Sequence, residues 1–294
     1  MPSASRRDVW RAGRLLMAAA VLGALTGLSL PPTGTASAAE STLDRLKQQG
    51  FARIAIANEP PYTQITPDGK VTGAGPELAR EVMKRLGVPD LQASVSEYGA
   101  MIPGLQARRF DLVDAGLFMK PERCRAVAYS EPDLCDAEAF AVKKGNPKHL
   151  TTYADLKADG VKVGVPGGGS EERLSLQAGV PRDRVIVAPD GQSGLKMLED
   201  GRIDAYSLPT LSIRDLLQKA GDAGLEIVTP IKDAPISCAG AAFNKQDTEL
   251  RDAYDRVLAE MKKSGDFAKI IEPFGFPAEA AMVTTREQLC GGKN

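Results

Sequence analysis

Histidine is almost absent from this sequence. Its 294 residues include one, His149, which follows Gly145-Asn-Pro-Lys in a context typical of a solvated loop. A lone loop histidine provides neither a multi-histidine zinc site nor a histidine-based catalytic triad. Cysteine is also scarce, with four residues and no C-x2-C spacing. The sequence therefore predicts no metal site.

An excess of charge of one sign is lacking as well. The chain has 37 Lys and Arg against 38 Asp and Glu. Four arginines and one aspartate precede residue 39, so the rest is mildly acidic, with 33 basic and 37 acidic side chains. Because no basic run remains, the sequence predicts no nucleic-acid partner.

The long apolar run is at the N-terminus. Four arginines within residues 6–14 precede the apolar residues 15–30, and residues 36–38 read Ala-Ser-Ala, which suits a cleavage position. We therefore expect residues 1–38 to be a signal peptide and the protein to be periplasmic, extracellular or in the cell envelope. Arg6-Arg7 fits a twin-arginine signal and an ordinary basic region equally well. No cysteine precedes Cys124, so we expect no lipoprotein.

Four cysteines in an exported chain predict two disulfides. Three connectivities are possible, and proximity along the chain favours Cys124 with Cys135 and Cys238 with Cys290. The first bridge would close a short loop, and the second would tie the C-terminal tail to an earlier strand.

Strand-like runs alternate with helical patterns after the signal, which indicates an α/β architecture with largely parallel sheets. The first half predicts strands at residues 53–57, 110–115 and 137–143, and helices at residues 76–86 and 98–105. The second half predicts strands at residues 161–165, 184–187, 203–207 and 236–243, and helices at residues 171–178, 194–199 and 248–263.

A glycine-rich turn at residues 166–170 precedes one of these helices. Its backbone N–H groups offer a site for an anion at the helix N-terminus. The turn matches neither G-x-G-x-x-G nor the P-loop pattern, so nucleotide binding is excluded and no cofactor is expected.

The pair Phe118 and Arg123 suits a small zwitterionic ligand. Arginine grips a carboxylate bidentately, and an aromatic ring attracts a delocalised cation. The alternative is a core phenylalanine and a surface arginine. Other motifs in the chain favour the ligand site.

The order of these motifs resembles the solute-binding proteins of polar amino-acid type ABC importers, family 3, over nearly the whole mature length. The marks are Glu-x-x-aromatic at residues 59–62, Pro-Glu-Arg at 121–123, Tyr-Ser-Glu-Pro at 129–132, Gly-Arg-Ile-Asp-Ala at 201–205 and Lys-Ser-Gly-Asp at 263–266.

This resemblance implies the type II periplasmic-binding-protein-like fold. Two α/β lobes, each a mostly parallel sheet flanked by helices, would clamp the ligand and be joined by two hinge strands. The expected limits are residues 39–140 and 238–294 for lobe 1 and residues 141–237 for lobe 2. The crossings would fall near residues 139–143 and 236–240.

At two positions the sequence departs from the family's amino-acid binders, and these departures restrict the class of ligand. Amino-acid binders of the family usually have Thr in place of Phe118 and Asp in place of Pro209, and both hold the α-ammonium group. This chain keeps Arg123, the family's carboxylate clamp. A carboxylate with a dispersed cation fits these changes, because such cations favour aromatic cages.

The first-lobe residues resemble the site of ectoine/hydroxyectoine-binding proteins, in identity and in spacing. There, three aromatic rings surround a cyclic amidinium, an acid pairs with its N–H and an arginine takes the carboxylate. Tyr62 stands where a Phe can occur. The residues that match are Glu59, Tyr62, Tyr98, Phe118 and Arg123.

The second lobe offers fewer candidates. Gly168, Gly169 and Ser170 match the family's backbone-donor turn, so we expect them near the ligand carboxylate. The loop of Asp190, Gln192 and Ser193 either contacts the ligand or caps the next helix, and capping is favoured.

Three functions follow from the resemblance. The leading one is a monomeric, non-enzymatic binding protein that closes around an ectoine-like solute and docks on the membrane subunits of an ABC importer. The second is a binder of a polar or basic amino acid, against which Phe118 and Pro209 argue. The third is a dehydratase-type enzyme, for which Glu59 would be the acid or base.

Overall fold

The computed structural model describes residues 40–221 and 224–291, so the predicted signal peptide lies outside the described residues. The helices of this part are α1 (Thr42–Gln49), α2 (Ala74–Arg85), α3 (Tyr98–Gln106), α4 (Pro121–Ala126), α5 (Ser170–Gln177), α6 (Gly191–Glu199), α7 (Thr210–Ala220), α8 (Thr248–Ser264), α9 (Asp266–Ile271), α10 (Ala278–Val283) and α11 (Arg286–Cys290). Short 3-10 turns cover Tyr153–Lys157, Arg182–Arg184 and Glu272–Phe274.

The strands are short and spread along the chain. They are β1 (Phe51–Ile56), β2 (Gln64–Ile65), β3 (Val71–Thr72), β4 (Asp90–Val95), β5 (Leu112–Val113), β6 (Val127–Tyr129), β7 (Cys135–Asp136), β8 (Glu138–Lys143), β9 (Val163–Pro166), β10 (Val185–Ala188), β11 (Ala205–Pro209), β12 (Leu225–Val228), β13 (Ser237–Cys238) and β14 (Ala242–Asn244).

Two larger sheets organise the fold. The first runs in the order β4-β1-β5-β14-β6 and the second in the order β10-β9-β11-β8-β12. We call the first sheet with α1 to α4 and α8 to α11 the first lobe, and the second sheet with α5 to α7 the second lobe. The expected two-lobed α/β architecture is confirmed.

Each sheet is mostly parallel, as expected, with four strands in one direction and one strand against them. In the first, β1 pairs parallel with β4 and β5, whereas β14 runs antiparallel to β5 and β6. In the second, β9 pairs parallel with β10 and β11, whereas β8 runs antiparallel to β11 and β12. The antiparallel members β8 and β14 are the strands that follow the connections between lobes, and each enters its sheet from the opposite end.

The connection between lobes includes an antiparallel ladder of β7 and β13. The predicted crossing near residues 236–240 contains β13. The other predicted crossing, near residues 139–143, is wrong in position, because that segment is β8 inside the second sheet. Its chain crosses at Cys135–Asp136 instead. The lobe limits at residues 140 and 238 stay a prediction.

Both faces of the second sheet are buried, which explains its apolar strands. Along β8, Phe140 and Val142 join one core cluster, and Ala139 and Ala141 join the cluster on the opposite face. Alternation of side chains along a strand produces this division. Helices cover both faces, so few positions remain for polar residues.

Helix α8 shows how the sequence pattern fixes packing. Leu250, Tyr254, Leu258 and Met261 recur at helical spacing and are buried against the first sheet. Gly265 ends the helix in the left-handed conformation. Among the described residues, no helix is both long and apolar enough to span a membrane.

The disulfides link Cys124 to Cys290 and Cys135 to Cys238, so the predicted pairing is wrong. Cys135 and Cys238 stand opposite each other in the β7–β13 ladder. Cys124 lies on α4, against which α11 packs, and its Cα is 5.7 Å from that of Cys290. Proximity in the fold, set by strand register and helix packing, replaces proximity along the chain.

Candidate functional site

A small cavity lies where the carboxyl ends of strands from both lobes face each other. The space between its walls is about 220 Å³, part of it open to solvent. Its lining is Glu59, Tyr98, Gly116, Phe118, Arg123, Gly169, Ser170, Glu171 and Pro209. Six of the eight predicted ligand residues are therefore brought together.

Arg123 is fixed by two carbonyl groups, one on each side of the cleft. Its Nη1 donates to the Phe118 carbonyl and its Nη2 to the Gly168 carbonyl, both at 2.9 Å. Pro121 starts the short helix α4 that carries it, and Cys124 anchors that helix to α11. A guanidinium has more N–H donors than these bonds use, so Arg123 retains donors for an anion in the cavity.

Two aromatic rings line the cavity. Phe118 is buried in the loop after β5, and Tyr98 begins α3. The hydroxyl of Tyr98 donates to the Ala115 carbonyl at 2.9 Å, which fixes the ring against the strand end.

Tyr62 does not line this cavity, although the sequence placed it there. Its ring meets Phe118 edge-on, with centroids 6.1 Å apart, and its hydroxyl contacts Asp136 at 3.2 Å. Gly116, at φ +74°, lies over the ring, and a Cβ there would come within 2.5 Å of it. Tyr62 supports Phe118 from behind, and a direct contact with ligand stays a prediction.

Glu59 is the acid of the first lobe that faces the cavity. The residue is half-buried by surface area, yet its carboxyl group is enclosed by protein. Ser212 Oγ donates to its Oε1 at 2.7 Å, and Tyr98 Oη lies 3.4 Å from its Oε2. Burial first, and the Glu171 carboxylate second, raise the pKa of Glu59 to about 8.

The glycine-rich turn lies across the cavity from Arg123. Gly169 precedes α5, and Ser170 is its first residue. The Ser170 hydroxyl is buried and has no hydrogen-bond partner among the described residues. Gly168 points its carbonyl to Arg123 and stays outside the lining. The N–H groups of Gly168 and Gly169 donate to the Glu172 carboxylate and the Pro166 carbonyl, so the donor that this turn offers the cavity is the Ser170 hydroxyl.

Glu171 is a lining residue that the sequence analysis missed. It is buried beside Glu138, and burial raises the pKa of both carboxyl groups. The positive charges of Arg123 and Lys120 act on Glu171 in the opposite direction. Its place directly after the glycine-rich turn was visible in the sequence, but its burial beside Glu138 was not.

Two further second-lobe predictions can be placed. Asp190 accepts a hydrogen bond from the Ser193 N–H at 2.7 Å, so the favoured capping of α6 is confirmed. Pro209 lines the cavity where amino-acid binders usually have an aspartate. The side wall at that point is therefore apolar.

The lobes also touch through backbone. The Gly99 N–H donates to the Gly167 carbonyl at 3.3 Å. A Cβ on Gly168 would lie 2.5 Å from Gly99 Cα, so glycine permits this close approach.

Residues 52–277 match the family model of bacterial extracellular solute-binding proteins, family 3. The chain belongs to this family. It is therefore an exported solute-binding protein, as the motifs predicted.

Individual relatives extend this likeness. A probable amino-acid ABC transporter periplasmic-binding protein, y4tE of Sinorhizobium fredii, is 33% identical over 290 residues, 95% of this chain and 93% of that protein. The crystal structure of EhuB in complex with hydroxyectoine is 67% identical, with a TM-score of 0.85, and covers 86% of this chain and 98% of that chain. The ancestral amino acid-binding protein AncCDT-1, a precursor of cyclohexadienyl dehydratase, is 27% identical, with a TM-score of 0.71, over 80% of this chain and 99% of that chain.

Proposed function

We propose that this protein captures ectoine and hydroxyectoine outside the cytoplasm and delivers them to an ABC importer. The observation that carries the proposal is one small cavity in which Arg123 lies with two aromatic faces and two carboxyl groups. The likeness to EhuB, whose structure holds hydroxyectoine, supports it.

The carboxylate of the ligand would lie between the two lobes. Arg123 offers its remaining N–H donors from one side, and the Ser170 hydroxyl offers a donor from the other. Charge-assisted hydrogen bonds of this kind are about twice as strong as neutral ones. An anion here also meets the N-terminus of α5, whose dipole favours negative charge.

The cationic ring would lie against Phe118 and Tyr98. A delocalised amidinium is a weak donor for isolated carbonyls and a good partner for aromatic faces.

Glu59 and Glu171 are the carboxyl groups of the lining to which the N–H groups of the amidinium could donate. Tyr62, from behind Phe118, would complete the aromatic set as support.

The cavity disfavours ordinary α-amino acids. A free ammonium group needs fixed acceptors, and the positions that supply them in amino-acid binders are Phe118 and Pro209 here. A compact ammonium facing these two apolar walls would lose water without replacing its hydrogen bonds.

A dehydratase-type activity is the second candidate, because Glu59 has the raised pKa that catalytic acids show. We infer binding without turnover, since the chain belongs to a family of solute-binding proteins. Overnight incubation of protein with ectoine, followed by mass analysis, would recover the ligand unchanged. Conversion to any product would favour the enzyme.

The test of the proposed function is isothermal titration of the mature protein with ectoine, hydroxyectoine, glycine betaine and L-arginine. We expect the two ectoines to bind far more tightly than arginine. The matched variant Phe118→Thr with Pro209→Asp restores the amino-acid pattern and should lose ectoine binding. Tight binding of arginine and none of ectoine by the unmodified protein would contradict the proposal.

The remaining features are proposals of the same kind. We infer a monomer, exported without a lipid anchor, that presents the closed faces of both lobes to the importer's membrane subunits. Sedimentation in the presence and absence of ectoine would measure the oligomeric state, and intact-mass analysis of exported material would locate the cleavage near Ala39.

A further inference from the structure

Ser212 connects the second lobe to the acid of the first. It lies in the first turn of α7 and is fully buried. Its hydroxyl donates to Glu59 Oε1 at 2.7 Å, across the cleft. The preceding residue, Leu211, donates its N–H to Asp136 at 2.9 Å, so the start of α7 is held in place independently of Ser212.

The other oxygen of Glu59, Oε2, faces the hydroxyl of Tyr98, whose single hydrogen is donated to another acceptor. Tyr98 donates to the Ala115 carbonyl at 2.9 Å, and its Oη is 3.4 Å from Glu59 Oε2. A tyrosine hydroxyl has a single hydrogen. The contact with Oε2 is therefore favourable when Glu59 itself carries a proton on that oxygen.

The surroundings of Glu59 favour the protonated form as well. Its carboxyl is enclosed, and the neighbouring acids are Glu171 on α5 and Asp136 on β7. Arg123 acts on Tyr98 and Glu171 from α4, next to this group. The phenols that face Glu59 are Tyr62, Tyr98 and Tyr206.

We propose that Ser212 is a positioning residue for ligand binding. It occupies Oε1 of Glu59, so the proton of this carboxyl sits on Oε2, and that proton leaves when a ligand cation enters. The O–H bond breaks, its electron pair stays on Oε2, and the proton passes to the solvent. The carboxylate then pairs with the cation. The inference rests on the proposed function, because it requires a cationic ligand.

A measurable proton release follows. With the pKa of Glu59 at about 8, about nine in ten molecules carry this proton at pH 7, so binding should release about 0.9 proton per ligand. Affinity should rise about tenfold per pH unit below pH 8 and level off above it. The ligand carboxylate keeps its charge throughout this range.

Replacing Ser212 changes this profile in a specific way. The hydrogen bond from Ser212 lowers the pKa of Glu59, so Ser212→Ala should raise it and move the profile to higher pH by about one unit. Ser212→Ala would then bind about tenfold more weakly than the unmodified protein at pH 7, and nearly equally at pH 9.5. A merely structural role would weaken binding equally at every pH.

The experiment is titration with ectoine from pH 6.5 to 9.5, in pairs of buffers that differ in ionisation enthalpy. The control is Thr210→Val on the same helix, because Thr210 contacts Ala137 and Thr229 rather than Glu59. We expect proton release in the unmodified protein and in Thr210→Val, none in Glu59→Gln, and a shifted profile in Ser212→Ala.

Three results would overturn the inference while leaving the proposed function intact. These are ectoine binding without proton release, release that persists in Glu59→Gln, and a Ser212→Ala loss that is equal at all pH values. Failure to bind ectoine at any pH would instead overturn the proposed function, and this inference with it.

Discussion

The two lobes meet the cavity with different chemistry. The first lobe contributes long side chains, namely Glu59, Tyr98, Phe118 and Arg123. The second contributes a turn of backbone, the small Ser170, the ring of Pro209 and the carboxyl of Glu171. The first lobe thus carries most of the groups that distinguish one solute from another, and the second closes over the carboxylate.

The two lobes also differ in the hydrogen bonds that fix their cavity residues. Tyr98 and Arg123 are bonded within the first lobe, to the Ala115 and Phe118 carbonyls, and Arg123 also bonds across the cleft to Gly168. Of two second-lobe hydroxyls near the cleft, that of Ser212 reaches across it, and that of Ser170 has no partner among the residues that the structure describes. Binding should therefore depend more on a first-lobe residue than on a second-lobe one.

The largest expected effect is at Arg123. Arg123→Ala leaves a ligand carboxylate without its partner in a partly closed cleft, which should weaken ectoine binding by about 3–5 kcal/mol. Arg123→Lys should also bind poorly, because an ammonium cannot reproduce the fork. Titration calorimetry measures both. Arg125→Ala, an exposed position on the same helix, is the control and should bind normally. If Arg123→Ala bound ectoine with unchanged affinity, Arg123 would not be the group that binds the ligand carboxylate.

Phe118 tests the other half of the ligand. Phe118→Ala should weaken ectoine binding by about 2–3 kcal/mol, since it removes an aromatic face and the packing of Tyr62 behind it. Phe118→Tyr keeps the ring and should bind within a few-fold of the unmodified protein. Equal affinities for the two variants would show that the ring face does not hold the cation.

A buried acid pair inside the first lobe offers a contrast with the acids of the cleft. Burial raises the pKa of Asp133 to about 7, and burial with the Asp133 charge raises the pKa of Asp114 well above its ordinary value. Tyr254 donates to Asp114, and the Lys262 charge acts against the rise at Asp133. The native state therefore holds protons that the unfolded chain releases near pH 4.

The sign of the resulting pH dependence follows from these raised pKa values. Stabilisation by protonated Asp133 is complete below pH 4 and is lost as the pH rises to about 7. Relative to the unmodified protein, Asp133→Asn should gain about 3 kcal/mol in free energy of unfolding between pH 4.5 and pH 7.5. Urea denaturation at both pH values measures this gain. A difference that does not vary with pH would refute the raised pKa of Asp133.

The smallest expected effect is at Ser170. Ser170→Ala removes one donor to the carboxylate, while the Arg123 guanidinium remains, so ectoine binding should weaken by about 1 kcal/mol. Ser175→Ala on the same helix is the control, because its hydroxyl bonds the Glu171 carbonyl. A loss at Ser170 as large as that at Arg123 would reverse the comparison between the lobes.

Prediction from the sequence succeeded where the signal is local. The amphipathic pattern of residues 248–263 predicted α8, and the aspartate at position 190 predicted a cap. The predicted strand at residues 236–243 is broken into β13 and β14, because the chain passes there from the connecting ladder into the first sheet. The elements without an assignment were strands β2, β3, β4, β6, β7 and β12 and helices α1, α4, α7 and α9 to α11.

The disulfides show most clearly what could not be predicted from the sequence. Four cysteines in an exported chain were enough to predict two bridges, but spacing along the chain favoured the wrong partners. The β7–β13 ladder places Cys135 opposite Cys238, and the packing of α11 on α4 places Cys124 near Cys290. Both contacts join segments more than a hundred residues apart, so chain spacing carries no information about them.

The sequence by itself determined the two-lobed α/β class, the export signal as an expectation and the residue types of the first-lobe site. Those depend on periodicity, turn residues and motifs, which are properties of neighbours along the chain. Only the tertiary structure decided that Tyr62 stands behind Phe118, that Glu171 joins the lining and that Ser212 reaches Glu59. The physical reason is that burial, hydrogen-bond partners and the pKa of Glu59 arise from groups of both lobes, which the fold alone brings together.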